Sequence, residues 1–177
     1  MSLRACTSLI LACLAAAPAF ARTAGNDRTA DLFFIERNKN RNLVQYTFRL
    51  DPECSAADDA PVAAHWRMLE EGPDATESVG LLERRAYGIA SQEPGDDGWS
   101  VRLRALPSRV VTIRTRAAEG RCQVSAYTAI RGRPARLRSI YVFAEESRLI
   151  PSVVFIDLRG ESADGSPVAE RIEASDR

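Results

Sequence analysis

Apolar and polar residues alternate along most of the chain. In residues 44–50 the even positions are apolar and the odd positions are polar, and residues 99–105 and 122–130 show the same alternation. A period of two predicts strands with one buried face. Residues 153–158 are apolar on both faces except for Asp157, which is typical of a central strand.

Turn-forming residues separate these segments. Residues 38–42 contain three asparagines, which tolerate left-handed backbone angles, and they are expected to join two strands as a hairpin. Further turns are indicated at residues 106–109, 118–121, 132–134 and 164–165. About nine strands result, which predicts an all-β fold, a single-domain antiparallel β-sandwich. One short helix is expected near residues 76–87, with Thr76 or Ser78 as its N-cap and Gly88 at its end.

The first 21 residues have the features of an export signal. Arg4 supplies a positive start, residues 9–17 are apolar, and residues 19–21 (AFA) form a small-x-small cleavage site. We therefore expect a signal peptide over residues 1–21 that is cleaved after Ala21, and a periplasmic or secreted protein that does not span a membrane. A retained membrane anchor and a lipidated Cys13 are the weaker alternatives.

The mature chain is expected to start with a flexible segment, residues 22–30, followed by one domain over residues 31–177. Two cysteines remain in it, Cys54 and Cys122. An even pair of cysteines in an oxidising compartment predicts a disulfide, and the alternative is two separate buried thiols.

Charge is balanced overall but unevenly distributed. The chain has 24 Lys and Arg residues and 24 Asp and Glu residues. Balanced charge, together with export, argues against a nucleic-acid partner. Residues 99–143 hold ten arginines and a single acid, Glu119, whereas the segments on either side are acidic.

Four of these arginines are candidate binding residues. Arg102 and Arg104 share one face of a predicted strand, and Arg114 and Arg116 share one face of the next. Arginine forms bidentate hydrogen bonds with phosphate and carboxylate, which favours an anionic partner. The alternative is that acids from the flanking segments neutralise the arginines within the fold.

The asparagine-rich loop is the second candidate. It contributes Glu36, Asn38, Lys39, Asn40 and Asn42. Amides and charged groups held on a rigid hairpin are suited to bind a polar ligand. The alternative is that the asparagines are present only for the backbone angles of the turn.

A third set contains the remaining candidate binding residues. If these residues and Lys39 converge in the fold, they line one cleft. His65 and Trp66 lie on opposite faces of a predicted strand, and Glu83 and Tyr87 share a helix face at a spacing of four. Tyr46 completes the set. His65 or Glu83 is the candidate general base of a hydrolase. A half-exposed strand position for His65, and a helix that merely closes one end of the sandwich, are the structural alternatives.

One histidine cannot build a multi-histidine metal site, and no phosphate-binding loop, nucleophile elbow or metal motif occurs in the sequence. We therefore expect no metal, no cofactor and no catalytic residue.

Several of these segments together resemble a family of domains of unknown function, DUF4833. The most specific segment is residues 34–46 (FIERNKNRNLVQY). Weaker matches are Pro61-Val62 with His65-Trp66, Glu83-Arg84 with residues 86–89, and residues 164–168 with Glu170. The resemblance extends over residues 31–172. It implies a single exported β-rich domain, and it carries no activity over to this chain.

Three functions follow as hypotheses. The first is a non-catalytic envelope protein that binds an anionic envelope component or another polar partner. The second is a periplasmic hydrolase that uses His65 or Glu83. The third is a structural accessory subunit whose strand edges dock on another envelope protein.

Overall fold

The computed structural model describes residues 28–145 and 152–173. This part of the chain contains eleven strands and one helix. In chain order they are β1 (Arg28–Arg37), β2 (Leu43–Leu50), β3 (Val62–Arg67), β4 (Thr76–Ser78), α1 (Leu81–Tyr87), β5 (Ile89–Gly95), β6 (Gly98–Leu103), β7 (Leu106–Ala118), β8 (Arg121–Ile130), β9 (Arg133–Glu145), β10 (Ser152–Glu161) and β11 (Pro167–Glu173). The predicted all-β fold with one short helix is confirmed.

The strands form one curled sheet. Its main path is β4-β3-β2-β1-β9-β8-β7-β6-β5, and β10 and β11 extend from the other edge of β9. Paired strands run antiparallel except β1 and β9, which are parallel. The sheet is therefore mixed. Strands β1 and β9 are distant in sequence, so no hairpin fixes their relative direction.

Strand β9 pairs with two strands along one edge. Its beginning, as far as Arg136, pairs with β8, and residues 139–142 pair with β1. Strand β10 runs along the opposite edge. Two arms of the sheet, β1–β4 and β5–β8, therefore diverge from β9, and the buried apolar residues of both arms form one core cluster.

Gly160 permits close packing where β9 changes partner. A β-carbon at this position would lie 2.4 Å from the Arg136 carbonyl oxygen and 2.8 Å from Ile130 Cδ1. The β9–β10 register also shifts between Arg159 and Gly160. The absence of a side chain thus lets β10 approach the backbone of β9 at the branch.

Two contacts tie the arms together away from β9. The Gln92 side chain of β5 accepts the Val62 N–H of β3 at 2.8 Å and donates to the Val62 carbonyl at 3.3 Å. Cys54, in the β2–β3 loop, is disulfide-bonded to Cys122 of β8, and their Cα atoms are 5.3 Å apart. The disulfide predicted from the cysteine count is thus present.

The alternation identified the inward faces correctly. The even positions of β2, from Val44 to Leu50, are all buried. Strand β10 has a neighbour on each side, as expected of a central strand. The other face of β2 is also buried at Gln45, whose Nε2 donates to the Phe33 carbonyl at 3.1 Å.

The helix region differs from the prediction. Residues 76–78 form β4, which pairs with β3, so Thr76 and Ser78 cap no helix. Pairing with β3 satisfies backbone groups that a short, isolated helix would leave open. Helix α1 follows Gly80 without a side-chain cap, and it ends at Gly88 as predicted.

The β6–β7 hairpin also differs from the prediction. Arg104 and Ala105 form its turn, and Leu103 pairs with Leu106. Of residues 106–109, which were predicted as the turn, Leu106 is paired in the ladder and residues 107–109 bulge from it. A proline, which lacks an N–H group, is tolerated at such a bulge, so Pro107 does not end the strand.

The predicted signal peptide lies outside the described residues. Of the segment predicted to be flexible, residues 28–30 belong to β1. Within residues 28–145 and 152–173, no helix is long and apolar enough to cross a bilayer.

Replacing Cys54 and Cys122 together with alanine is expected to lower the free energy of unfolding by about 4 kcal/mol, because the unfolded chain gains the freedom of an open loop. The sequence separation that the bond closes is 68. Urea unfolding followed by tryptophan fluorescence measures the difference. The wild type in reductant is the control and should match the variant. A loss below about 1 kcal/mol would contradict the prediction.

Asp157 of β10 and Arg171 of β11 are directly paired across the sheet. Arg171 Nε and Nη2 donate to the two carboxylate oxygens of Asp157 at 2.7 and 2.9 Å. These hydrogen bonds outweigh the partial burial and hold the pKa of Asp157 below its ordinary value. The resulting stabilisation is complete above the ordinary aspartate pKa and is lost as the pH falls through the lowered, folded-state pKa.

Asp157→Asn should therefore flatten the fall in the free energy of unfolding between about pH 5 and pH 2. Urea unfolding at several pH values compares the variant with the wild type. Asp96→Asn, in an exposed loop, is the matched control. Parallel curves for the wild type and Asp157→Asn would rule out this contribution.

Candidate functional site

One open pocket collects three of the six residues that were expected to line a cleft, namely Lys39, Trp66 and Glu83. Its volume is about 290 Å³, and the loop between β1 and β2 forms one wall. We name it the hairpin pocket. Its lining residues are Arg37, Lys39, Asn40, Asn42, Trp66, Met68, Glu77 and Glu83.

Several contacts fix the guanidinium of Arg37 in this pocket. Its guanidinium carbon lies 4.3 Å from the centre of the Trp66 ring and 5.7 Å from that of Tyr87, which is cation–π geometry. Nη2 donates to Asn40 Oδ1 at 2.9 Å. Among the described residues, no carboxylate forms an ion pair with Arg37, and its Nε is buried without an acceptor. The Arg37 guanidinium is therefore fixed in position and still has N–H donors without an acceptor.

Aromatic residues support this arginine. The Tyr46 hydroxyl donates to the Tyr87 carbonyl, and the Tyr46 ring stacks on Phe33 with centroids 4.6 Å apart. Tyr87 meets Trp66 edge to face at 6.0 Å. Burial, with a smaller effect of Tyr87, raises the pKa of Tyr46 well above its ordinary value. Tyr46 therefore remains a protonated donor that fixes the end of α1.

Two carboxylates belong to the same pocket. Glu77 of β4 pairs in register with Trp66 of β3. Glu83 lies in the first turn of α1. A β-carbon on Gly80 would lie 2.3 Å from Glu83 Oε2, so the glycine leaves room for this carboxylate. The pocket thus combines cations, amides, carboxylates and an indole.

Several loop residues have evident structural contacts. Asn38 Nδ2 donates to the Ala144 carbonyl at 2.9 Å, and its Oδ1 accepts the Ala144 N–H at 3.1 Å, which prolongs the pairing of β1 with β9. Asn42 is buried and accepts the Glu70 N–H at 3.2 Å. Glu36 bonds Arg159 at 3.0 Å and does not line the hairpin pocket.

His65 does not line the hairpin pocket either. It lies between Gln45 of β2 and Ser78 of β4, on the face of β3 opposite Trp66. The structure therefore brings Lys39, Trp66 and Glu83 together but leaves His65 outside. The two candidate general bases do not share this pocket.

The arginines of the middle third form a second arrangement. Arg102, Arg114 and Arg116 project from the outer faces of β6 and β7, opposite the buried positions of those strands. Arg104 is exposed and lies in the β6–β7 turn. We name the outer arginine face by its members on β6, β7 and β9: Arg102, Arg114, Arg116, Arg136 and Arg138.

Adjacent strands do not place the predicted arginine pairs directly opposite each other. Arg102 is opposite Val110, and Arg114 lies four residues farther along β7, a distance of about 13 Å. The offset reduces the repulsion that directly opposed like charges would cause.

Acids from the flanking segments neutralise part of this charge. Arg114 forms an ion pair with Asp97 at 3.1 Å, and Arg138 forms one with Glu161 at 2.7 Å. In the part of the chain that the structure describes, Arg102, Arg116 and Arg136 form no ion pair. Internal neutralisation therefore accounts for only some of the arginines.

A groove crosses the outer arginine face. Two adjoining depressions of about 380 and 220 Å³ share Arg114, Tyr127 and Pro134, and we name them together the outer groove. The Arg114 guanidinium lies 5.2 Å from the centre of the Tyr127 ring. Arg136 is the partner of Tyr127 across β8 and β9, and Val110 at one end is 36 % exposed. The groove thus has an aromatic centre, and its rim holds Arg114, Arg136 and the carboxylate of Glu161, which lies opposite Arg136 across β9 and β10.

The sequence analysis did not select several residues of these two sites. Arg37 continues the alternation of the buried Phe33 and Ile35, a pattern that could have identified it. Tyr127 is an outward position of a strand whose alternation was recognised. Glu77 gave no such signal, because its segment was assigned to the helix. Residues 28–145 and 152–173 contain no group of three or more His, Cys, Asp or Glu placed to hold a metal ion.

Comparison with protein families gives one match. A family model described as domain of unknown function (DUF4833) matches residues 33–171, a range that includes the hairpin pocket and the outer groove. Comparisons with curated proteins and with solved structures give no match.

Tyr46→Phe should lower the free energy of unfolding by about 1–3 kcal/mol, because it leaves the Tyr87 carbonyl without its donor in a part-buried position. Urea unfolding measures the loss. Tyr127→Phe, which removes a hydroxyl from the half-buried outer groove, is the control and should change little. Equal losses in the two variants would contradict a specific role for the Tyr46 hydrogen bond.

Proposed function

Because this chain belongs to the DUF4833 family, whose description assigns no activity, we propose a function from its geometry. In this proposal the protein is an exported, non-catalytic envelope protein that binds an extended anionic polymer in the outer groove. The features of residues 1–21 and the Cys54–Cys122 disulfide support export, since disulfides persist in oxidising compartments.

The observation that carries the proposal is the set of arginines left outside ion pairs on the outer arginine face, of which Arg136 lines the groove. Arg102 and Arg116 are exposed and Arg136 is half-buried, and all three face outward, on β6, β7 and β9. Like charges on one sheet face repel, and a bound polyanion relieves this repulsion. Guanidinium groups also bind phosphate, sulfate-like or carboxylate oxygens in a bidentate manner.

The centre of the groove suits the uncharged parts of such a polymer. Tyr127, Pro134 and Val110 offer an aromatic and aliphatic surface between the arginines. A chain of acidic sugars presents the complementary combination, namely apolar ring faces with anionic groups at intervals. We therefore favour an acidic glycan over a single small anion.

The two alternative functions have less support. A hydrolase would need a base with a partner, and His65 lies outside the hairpin pocket that contains Glu83. Docking by strand addition needs a long, regular edge. The sheet edges are β4, with three residues, β5, which carries Pro94, and β11, which has seven residues and begins with Pro167.

Replacing Arg102, Arg116 and Arg136 together with glutamine is expected to weaken binding to dextran sulfate at least tenfold at low salt. Each lost cation removes a contact that releases counterions, so the salt dependence of binding should become shallower as well. Calorimetric titration at several salt concentrations measures both. Neutral dextran is the uncharged probe, and vesicles of phosphatidylglycerol test whether a lipid surface binds instead.

The matched control replaces Arg28, Arg41 and Arg85 with glutamine, which changes the net charge equally on exposed positions away from the groove. Its affinity for dextran sulfate should remain within about twofold of the wild type. The proposal is wrong if both triple variants lose affinity equally, or if the wild type binds dextran and dextran sulfate alike. If the protein binds the vesicles but not dextran sulfate, the glycan is not its partner and a membrane surface takes its place.

A further inference from the structure

We infer that the hairpin pocket is a second binding site, distinct from the outer groove, and that it takes a small zwitterion with one carboxylate and one ammonium group. Free amino acids and short peptides belong to this class. The two sites share no lining residue. The inference therefore does not depend on the proposed polymer binding.

The carboxylate end is assigned to Arg37. A half-buried guanidinium ordinarily has an acidic partner, because a charge removed from water needs compensation. Arg37 instead has the Trp66 ring on one face and a neutral amide, that of Asn40, at one nitrogen. A planar group fixed in this way can receive a ligand carboxylate through two parallel N–H bonds. Lys39 lines the same wall of the pocket.

The ammonium end is assigned to Glu77 and Glu83. These carboxylates come from β4 and α1, whereas Arg37 and Lys39 come from the β1–β2 hairpin. Neither glutamate forms an ion pair among the residues that the structure describes. Opposite charges thus line the same pocket without neutralising Arg37, and a ligand with both charges would complete both sets of contacts.

The size and walls of the pocket restrict the ligand further. A volume of about 290 Å³ is at the small end of ligand pockets, which suits an amino acid or a dipeptide. Met68 and Trp66 supply apolar contacts between the charged groups. A small aliphatic side chain is therefore expected between the two charged ends.

Three probes that differ by one charge test the inference by calorimetric titration. Alanyl-alanine has both charges, N-acetyl-alanyl-alanine lacks the ammonium, and alanyl-alanine amide lacks the carboxylate. We expect alanyl-alanine to bind at least tenfold more tightly than either analogue. Equal affinity for the three probes, or no binding of alanyl-alanine at millimolar concentration, would overturn the inference.

Variants then assign each charge to its residue. Arg37→Lys keeps the positive charge but loses the paired N–H donors. It should weaken the binding of alanyl-alanine at least tenfold and leave the affinity for alanyl-alanine amide unchanged. Glu77→Gln with Glu83→Gln should instead remove the preference for the free ammonium. This second variant alters side chains at the protein surface, so it tests the site even if Arg37→Lys does not fold.

Arg41→Gln is the matched control, since Arg41 lies in the same loop but does not line the pocket. Its affinity for alanyl-alanine should equal that of the wild type. Dextran sulfate binding should be unchanged in Arg37→Lys, so failure of one site does not imply failure of the other. A loss of alanyl-alanine binding in Arg41→Gln as large as in Arg37→Lys would contradict the assignment.

Discussion

The shared edge of β9 is the constraint on which the rest of the structure depends. A strand edge offers a single row of N–H and C=O groups, and β9 divides that row between β8 and β1. The two partners must therefore diverge from one another beyond the branch. Both arms of the sheet inherit this divergence, and one core fills the space between them. Gly160 makes it sterically feasible, because a side chain there would meet the backbone of β9.

This geometry also explains where the hairpin pocket lies. The parallel pairing of β1 with β9 ends with Arg37 opposite Val142, and the Asn38 side chain continues it to Ala144. The inward row of β1 thus passes from buried phenylalanine and isoleucine to an arginine at the point where the strand leaves the sheet. The guanidinium is desolvated on its aromatic side by Trp66 and remains open to the pocket on the other. The pocket is therefore the polar end of the core.

Local pattern was sufficient for most strands and insufficient for their long-range arrangement. Alternation and turn chemistry identified the β1–β2, β7–β8 and β10–β11 hairpins, because each depends on neighbouring residues. The β1–β9 pairing joins segments about a hundred residues apart, and no local pattern encodes its parallel direction. The strand identity of residues 76–78 likewise depends on β3. Glu77 was missed as a pocket residue for this reason, whereas Lys39, Trp66 and Glu83 came from local motifs.

The charges of the two candidate sites differ in what sustains them. Asp97, Glu161 and Glu170 reach arginines of the middle third from outside it, so the curled sheet neutralises the part of the arginine-rich segment that lies near its turns and its β10–β11 hairpin. Among the described residues, Arg102, Arg116 and Arg136 form no ion pair, although Glu161 lies opposite Arg136 across β9 and β10. Because arginine does not deprotonate in proteins, this remaining charge persists at any pH in which the fold survives. The outer groove is thus suited to a partner with several fixed anionic groups, such as the sulfate esters of a polymer, whereas the lining of the hairpin pocket combines cations with carboxylates.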